Sequence, residues 1–113
     1  MSIVKIIKNA KVYEPEYLGI MDILILGDKI AAVGENLTAD FGGSVEVEVI
    51  DADGMAAVPG FIDSHEHIMG GGGEGGFHTR TPEAALGDLI RNGVTTVVGC
   101  IGTDGVGRDM PSL

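Results

Sequence analysis

The sequence predicts an α/β fold in two parts, a strand-only stretch followed by one strand–helix–strand unit. Three observations carry this. Residues 1–57 show alternation and turn signals but no helical periodicity. A strand pattern at 61–67 is followed by helix signals over 82–92 and a β-branched run at 94–98, the order in which parallel strands are connected. The chain holds 19 glycines, many of them between that first strand and the helix, so the strand opens into a loop of small residues.

The elements follow in order. Residues 3–12, IVKIIKNAKV, are β-rich and loosely alternating, and Asn9 is placed as a turn or bulge. Residues 13–19 contain Pro15 and end in Gly19, which predicts a connection. MDILIL at 21–26, the turn Gly27-Asp28-Lys29 and a strand at 30–33 read as a hairpin. Residues 34–43 are a polar loop. VEVEVI at 45–50 alternates as a half-buried strand should, so Glu46 and Glu48 face solvent. A turn at 51–54 leads to a short strand at 55–58 and then to Pro59-Gly60, which marks the start of the next strand.

In the second part, Thr81 is expected to cap a helix, with Pro82 in its first position and Glu83 facing the positive end of the dipole. Ala85, Leu86, Leu89 and Ile90 make its apolar stripe, and Gly93 ends it. VTTVV at 94–98 is expected to be a buried strand.

Composition narrows the function. Seven Lys plus Arg against 17 Asp plus Glu give a net charge of −10, which repels phosphate backbones and argues against nucleic acid as a partner. Cys100 is the only cysteine, so no intrachain disulfide forms, which fits a reducing compartment. No run approaches the ~18 apolar residues of a membrane span. The amino terminus mixes lysines into its apolar residues and lacks a signal-peptide core. The expectation is a cytoplasmic protein with no membrane partner.

The stretch VPGFIDSHEHIMGGGGEGG, residues 58–76, carries the chemistry. Side chains alternate faces along a strand. Asp63, His65 and His67 therefore share one face and Ile62, Ser64 and Glu66 the other. Two imidazoles one residue apart can reach a common metal ion, and a neutral ring nitrogen is a good donor to it. An isolated His-x-His is usually incidental; the Pro-Gly start, the apolar strand and the glycine loop directly after it argue for a ligand pair. Glu66 reads as a bystander and Asp63 as a group packing beneath the site. His78, farther along the loop, is more simply an exposed loop residue than a third ligand. The glycine run lacks the Gly-Lys-Ser/Thr ending of a phosphate-binding loop, and its plainest reading is a flexible linker.

VPGFIDSHEH resembles the signature of the amidohydrolase superfamily, metal-dependent hydrolases built on a (β/α)8 barrel. The continuation through GGGGEGG, TRTPE and GVTTVVGCIGTDG resembles one branch, the isoaspartyl (β-aspartyl) dipeptidases. The resemblance covers essentially the whole chain. It implies residues 1–57 as part of a small β-sandwich and residues 58–113 as the first βαβ unit of the barrel. A complete barrel takes about 250 residues, so a chain of 113 is expected to be an incomplete fragment, inactive alone. The implied reaction is hydrolysis of β-aspartyl dipeptides by a metal-activated hydroxide, with two Zn2+ in the complete enzyme. His65 and His67 would hold metal. Gly72, Glu74 and Thr103 would contact the peptide substrate, Glu74 taking its free α-amino group. No catalytic residue is assigned within the chain, and a homo-oligomer is expected at full length. The alternatives are a dihydroorotase- or hydantoinase-like cyclic amidase, an N-acyl-amino-acid deacylase, or a non-catalytic metal-binding fragment.

Overall fold

The computed structural model describes residues 2–102 and Pro111. The chain divides into two compact units, Met1–Pro59 and Gly60–Leu113.

The first unit is one five-stranded sheet. β1 (Val4–Tyr13), β2 (Tyr17–Leu26), β3 (Lys29–Gly34), β4 (Val47–Asp51) and β5 (Ala56–Ala57) take the order β3-β2-β1-β4, with β5 also on β1. The hairpin appears as expected, β2 and β3 pairing antiparallel through Leu26 and Lys29. β4 and β5 lie parallel to β1, against its first and second halves respectively. The connection expected at 13–19 is shorter than anticipated, because β1 runs to Tyr13 and β2 resumes at Tyr17 with a register shift between Val12 and Tyr13. Pro15 lies in the short turn between the strands, while Gly19 is part of the ladder, opposite Val12.

Asn9 is the bulge anticipated from its place in β1. Its φ is 59°, and the register jumps from Ile7 opposite Ile23 to Ala10 opposite Met21. Two residues of β1, Lys8 and Asn9, therefore face the single residue Asp22. The extra residue changes the phase of the strand, so Ile7, Ala10 and Val12 all serve one face. That face is the core, where Ala10, Val12, Ile23 and Ala52 are buried with Ile7, Met21, Ile25 and Ala57 packed on them. VEVEVI keeps its alternation only in part. Val49 and Ile50 are exposed, and Glu48 is half-buried, 3.7 Å from the Lys5 ammonium.

The second unit holds β6 (Phe61–Glu66), a 3-10 turn at Phe77–Thr79, α1 (Leu86–Arg91) and β7 (Val94–Gly99). β6 and β7 pair in parallel, and α1 packs against β7. The strand–helix–strand order expected from the sequence is present. Gly93 ends the helix with φ 77°, its N–H donating to the Ile90 carbonyl.

Two expectations fail in this unit. The helix spans Leu86–Arg91 rather than 82–92, and Ala85 stands at its cap without a side-chain bond. The reason is a competing set of partners. The Thr81 N–H donates to the Gly71 carbonyl (2.8 Å), its hydroxyl accepts from the Gly71 N–H (2.6 Å), and the Ala84 N–H donates to Ile68 (2.9 Å). Residues 81–84 spend their polar groups tying down the glycine loop. The apolar stripe and the VTTVV strand are also not buried: Leu86 is 71% exposed, Ile90 63% and Val98 50%. A single strand pair with one short helix covers neither face of such elements fully.

Gly60 shows how closely β6 begins against its neighbour. An alanine Cβ there would stand 2.7 Å from Thr95 Cβ and nearer still to the rest of that side chain. Overpacking of this kind costs about 1–3 kcal/mol. Gly60→Ala is expected to lower hydrogen-exchange protection of the β6 and β7 amides, and adding Thr95→Gly should restore it. A neutral Gly60→Ala would show that the strands do not approach this closely.

Candidate metal centre

The site residues stand where β6 ends. His65 lies in the strand, and His67 is the first residue beyond Glu66, its last. The chain turns at once, with the Gly70 N–H donating to the His67 carbonyl at 2.7 Å. The rings of His65 and His67 meet edge to face with centroids 5.0 Å apart. Alternation along the strand, interrupted only by a register irregularity between Asp63 and Glu66, keeps the two side chains together. Two neutral imidazoles this close suit a borderline cation such as Zn2+.

The two rings have different surroundings. His65 is exposed and His67 half-buried. His67 Nδ1 lies 3.1 Å from the Cys100 carbonyl oxygen, beyond the end of β7. Cys100 is held in turn, its N–H donating 2.9 Å to the Glu66 carbonyl. The Asp63 carboxylate accepts the His65 main-chain N–H at 3.1 Å. It braces the strand backbone at His65.

The pair alone is not a complete site. A catalytic zinc takes three protein ligands and an open position. Among the described residues no group of three or more His, Cys, Asp or Glu is placed to hold a metal. His78 lies exposed in the 3-10 turn. The two imidazoles would supply part of such a ligand set, and a metal held there would need further donors.

The glycine loop is hydrogen-bonded to the segment that follows it. The Thr81 and Ala84 bonds clamp its two sides, and Gly72 adopts φ 71° with its α-carbon against the Thr79 carbonyl, where any Cβ would collide. Only glycine fits there. Glu74 lies exposed on the turn with Gly75. Thr103 falls outside the described residues. Sequence reasoning assigned Thr81 to a helix cap and missed its hold on the loop, since a Thr-Pro-Glu triplet signals a cap and nothing local signals Gly71.

A second polar cluster, in the first unit, also escaped the sequence reading. Asp22 is 5% exposed. Its carboxylate accepts from Lys8 Nζ (2.5 Å), from the Asn9 N–H (3.1 Å) and from the Leu37 N–H (3.0 Å), while Lys8 also donates to the Leu37 carbonyl (3.0 Å). The Lys8 hydrogen bond, set against burial and aided by the two backbone donors, holds the Asp22 carboxyl below its usual value of 3.8.

No helix among the described residues is long and apolar enough to cross a membrane. No family model matches the chain. The dihydroorotase of Staphylococcus epidermidis is 39% identical over 93 residues, 82% of this chain and 20% of that protein. An allantoinase of Salmonella paratyphi B is 39% identical over 100 residues, 87% of this chain and 20% of the relative. A β-aspartyl dipeptidase of Fervidobacterium islandicum AW-1, solved in complex with a β-Asp-Leu dipeptide, is 50% identical with a TM-score of 0.81, covering 99% of this chain and 29% of that one. The chain spans under a third of the length of each of these three proteins. In sequence the chain is thus similar to dihydroorotases and allantoinases, and in sequence and fold to a β-aspartyl dipeptidase.

Proposed function

We propose that the chain is the amino-terminal part of a metal-dependent isoaspartyl dipeptidase. The observation that carries this is the match of half its residues, over nearly its whole length, to a dipeptidase that binds a β-aspartyl dipeptide. In this reading residues 1–57 belong to a small β-sandwich, and residues 58–113 open a (β/α)8 barrel with β6 and β7 as its first two strands. Ligands bind at the carboxyl ends of strands in such barrels, and the histidine pair lies at that end of β6.

His65 and His67 present their ring nitrogens to a divalent cation, two Zn2+ being expected in the whole enzyme. A metal held there supplies Lewis acidity to the scissile amide and to the attacking water. The chain's own residues do the rest of the binding. Gly72, bare of a side chain, lets the loop backbone approach the dipeptide. Glu74 accepts the hydrogens of its free α-ammonium in a charge-assisted bond. Thr103 is a further substrate contact. The full-length protein is read as cytoplasmic and homo-oligomeric.

The test is a steady-state comparison in the full-length protein, using an isoaspartyl dipeptide and its N-acetylated form. A hydrogen bond to a charged group is worth about 1.5–3 kcal/mol. Glu74→Gln is expected to cost roughly ten- to hundredfold in kcat/KM on the free amine and little on the acetylated form, with metal content unchanged. Equal treatment of both substrates by parent and variant would remove Glu74 as the amine anchor. The second reading, a cyclic amidase like the dihydroorotase and allantoinase relatives, would then take its place. Turnover of dihydroorotate or allantoin by the parent protein would establish it.

A further inference from the structure

His67 and His65 differ in what surrounds their rings, and the difference has a chemical consequence. A carbonyl oxygen only accepts hydrogen bonds. The ring nitrogen that faces the Cys100 carbonyl at 3.1 Å must therefore be the donor. A neutral imidazole carries one ring proton, so Nδ1 holds it and Nε2 keeps a free lone pair. We propose that the main-chain carbonyl of Cys100 is a positioning group that presets His67 in the Nδ1–H tautomer and offers Nε2 as its metal-binding atom. This rests on the metal role proposed for the pair.

The arrangement is held from several sides. The Cys100 peptide is anchored at its other end, its N–H bonded to the Glu66 carbonyl at 2.9 Å, where Glu66 pairs with Gly99 in the parallel ladder. The β6–β7 pairing thus sets the carbonyl, and the carbonyl sets the ring. The Gly71 backbone runs alongside that ring, close enough that a Cβ on it would lie 3.4 Å from His67 Cδ2. The Cys100 thiol takes no part, its Sγ lying 3.7 Å from the Val98 carbonyl. His65 is exposed, and among the described residues no hydrogen bond fixes its ring. His67 is therefore the preorganised ligand of the two and His65 the adaptable one. Metal-binding histidines generally have their second nitrogen oriented in this way, which costs 10–100-fold in affinity when lost.

The experiment is long-range 1H–15N correlation of the histidine rings in the full chain without metal, at about pH 8.5, where an ordinary histidine is neutral. His67 should show a protonated Nδ1 and an unprotonated Nε2, with His65 free of that bias. Cys100→Ala retains the carbonyl and should leave the His67 pattern unchanged. Added Zn2+ should move the Nε2 signal of His67 while Nδ1 keeps its proton. A proton on Nε2 of metal-free His67, or a tautomer reversed by Cys100→Ala, overturns the carbonyl's role. The expected tautomer with no response of either ring to millimolar Zn2+ overturns the ligand role instead, and with it the metal reading of the pair.

Discussion

His67→Ala in the full-length protein is expected to lose bound metal and hydrolytic activity together. The ring it removes is the half-buried member of a pair whose centroids stand 5.0 Å apart, and no third donor among the described residues replaces it. Loss of a partner that only orients a ligand costs 10–100-fold in affinity or activity; loss of the ligand itself should exceed that, at more than about a hundredfold. His65→Ala should behave alike, because a two-histidine arm that keeps one ring no longer grips the ion from that strand. Metal per chain, measured on purified protein beside kcat/KM, checks this. A His67→Ala variant with full metal content and activity within tenfold of the parent would end the assignment of this pair as ligands.

The second large effect concerns stability and lies in the first unit. Asp22→Ala strips the acceptor from Lys8, from the bulge N–H of Asn9 and from Leu37. Breaking a buried pair costs about 3–5 kcal/mol, since the remaining groups are left uncompensated. About 3 kcal/mol is expected, because the Lys8 side chain is half-buried and reaches water more easily than a fully buried one. The two tyrosines of the chain, Tyr13 and Tyr17, both lie in this unit with rings 5.1 Å apart, and the chain has no tryptophan. Tyrosine fluorescence during urea unfolding therefore reports on this unit. The pH dependence has a definite sign. The folded pKa of Asp22 is depressed, so its contribution is full above the unfolded value of about 3.9 and is lost as pH falls through the lower folded value. The stability gap between parent and Asp22→Asn should close on acidification through that range. A gap that is constant from neutral pH to about pH 2.5 would show that the Asp22 charge contributes nothing.

Much of the fold was legible because its signals are local. The Gly27-Asp28 hairpin turn, the Asn9 bulge, the Gly93 helix stop and the strands around them follow from residues within a few positions of one another. The histidine pair belongs to the same class. Two rings one residue apart on a strand end up together whatever the rest of the chain does, and the structure brings them to 5.0 Å. What failed depended on partners far along the chain. The Thr81-Pro82-Glu83 triplet is a sound helix start by local criteria, yet the Thr81 N–H and hydroxyl go to Gly71, and the N–H of Ala84 just after the triplet goes to Ile68. The β-branched run at 94–98 predicts burial, but burial is a property of neighbours, and Val98 is half exposed beside a single strand and a short helix.

By itself, then, the sequence determined the element types, the bulge, the strand end that carries His65 and His67, and the superfamily which that motif resembles. Only the tertiary structure decided which groups those elements lean on. Asp22 reads in sequence as one acid in a strand; its burial comes from Lys8 across the ladder and Leu37 in a loop. The difference between the two histidines arises from the Cys100 carbonyl, 33 residues away in the chain. The physical reason is the same in both cases. Local propensities act over a turn or a strand pair, whereas buried polar groups must find partners wherever the fold supplies them, and those distances in sequence carry no local pattern to read.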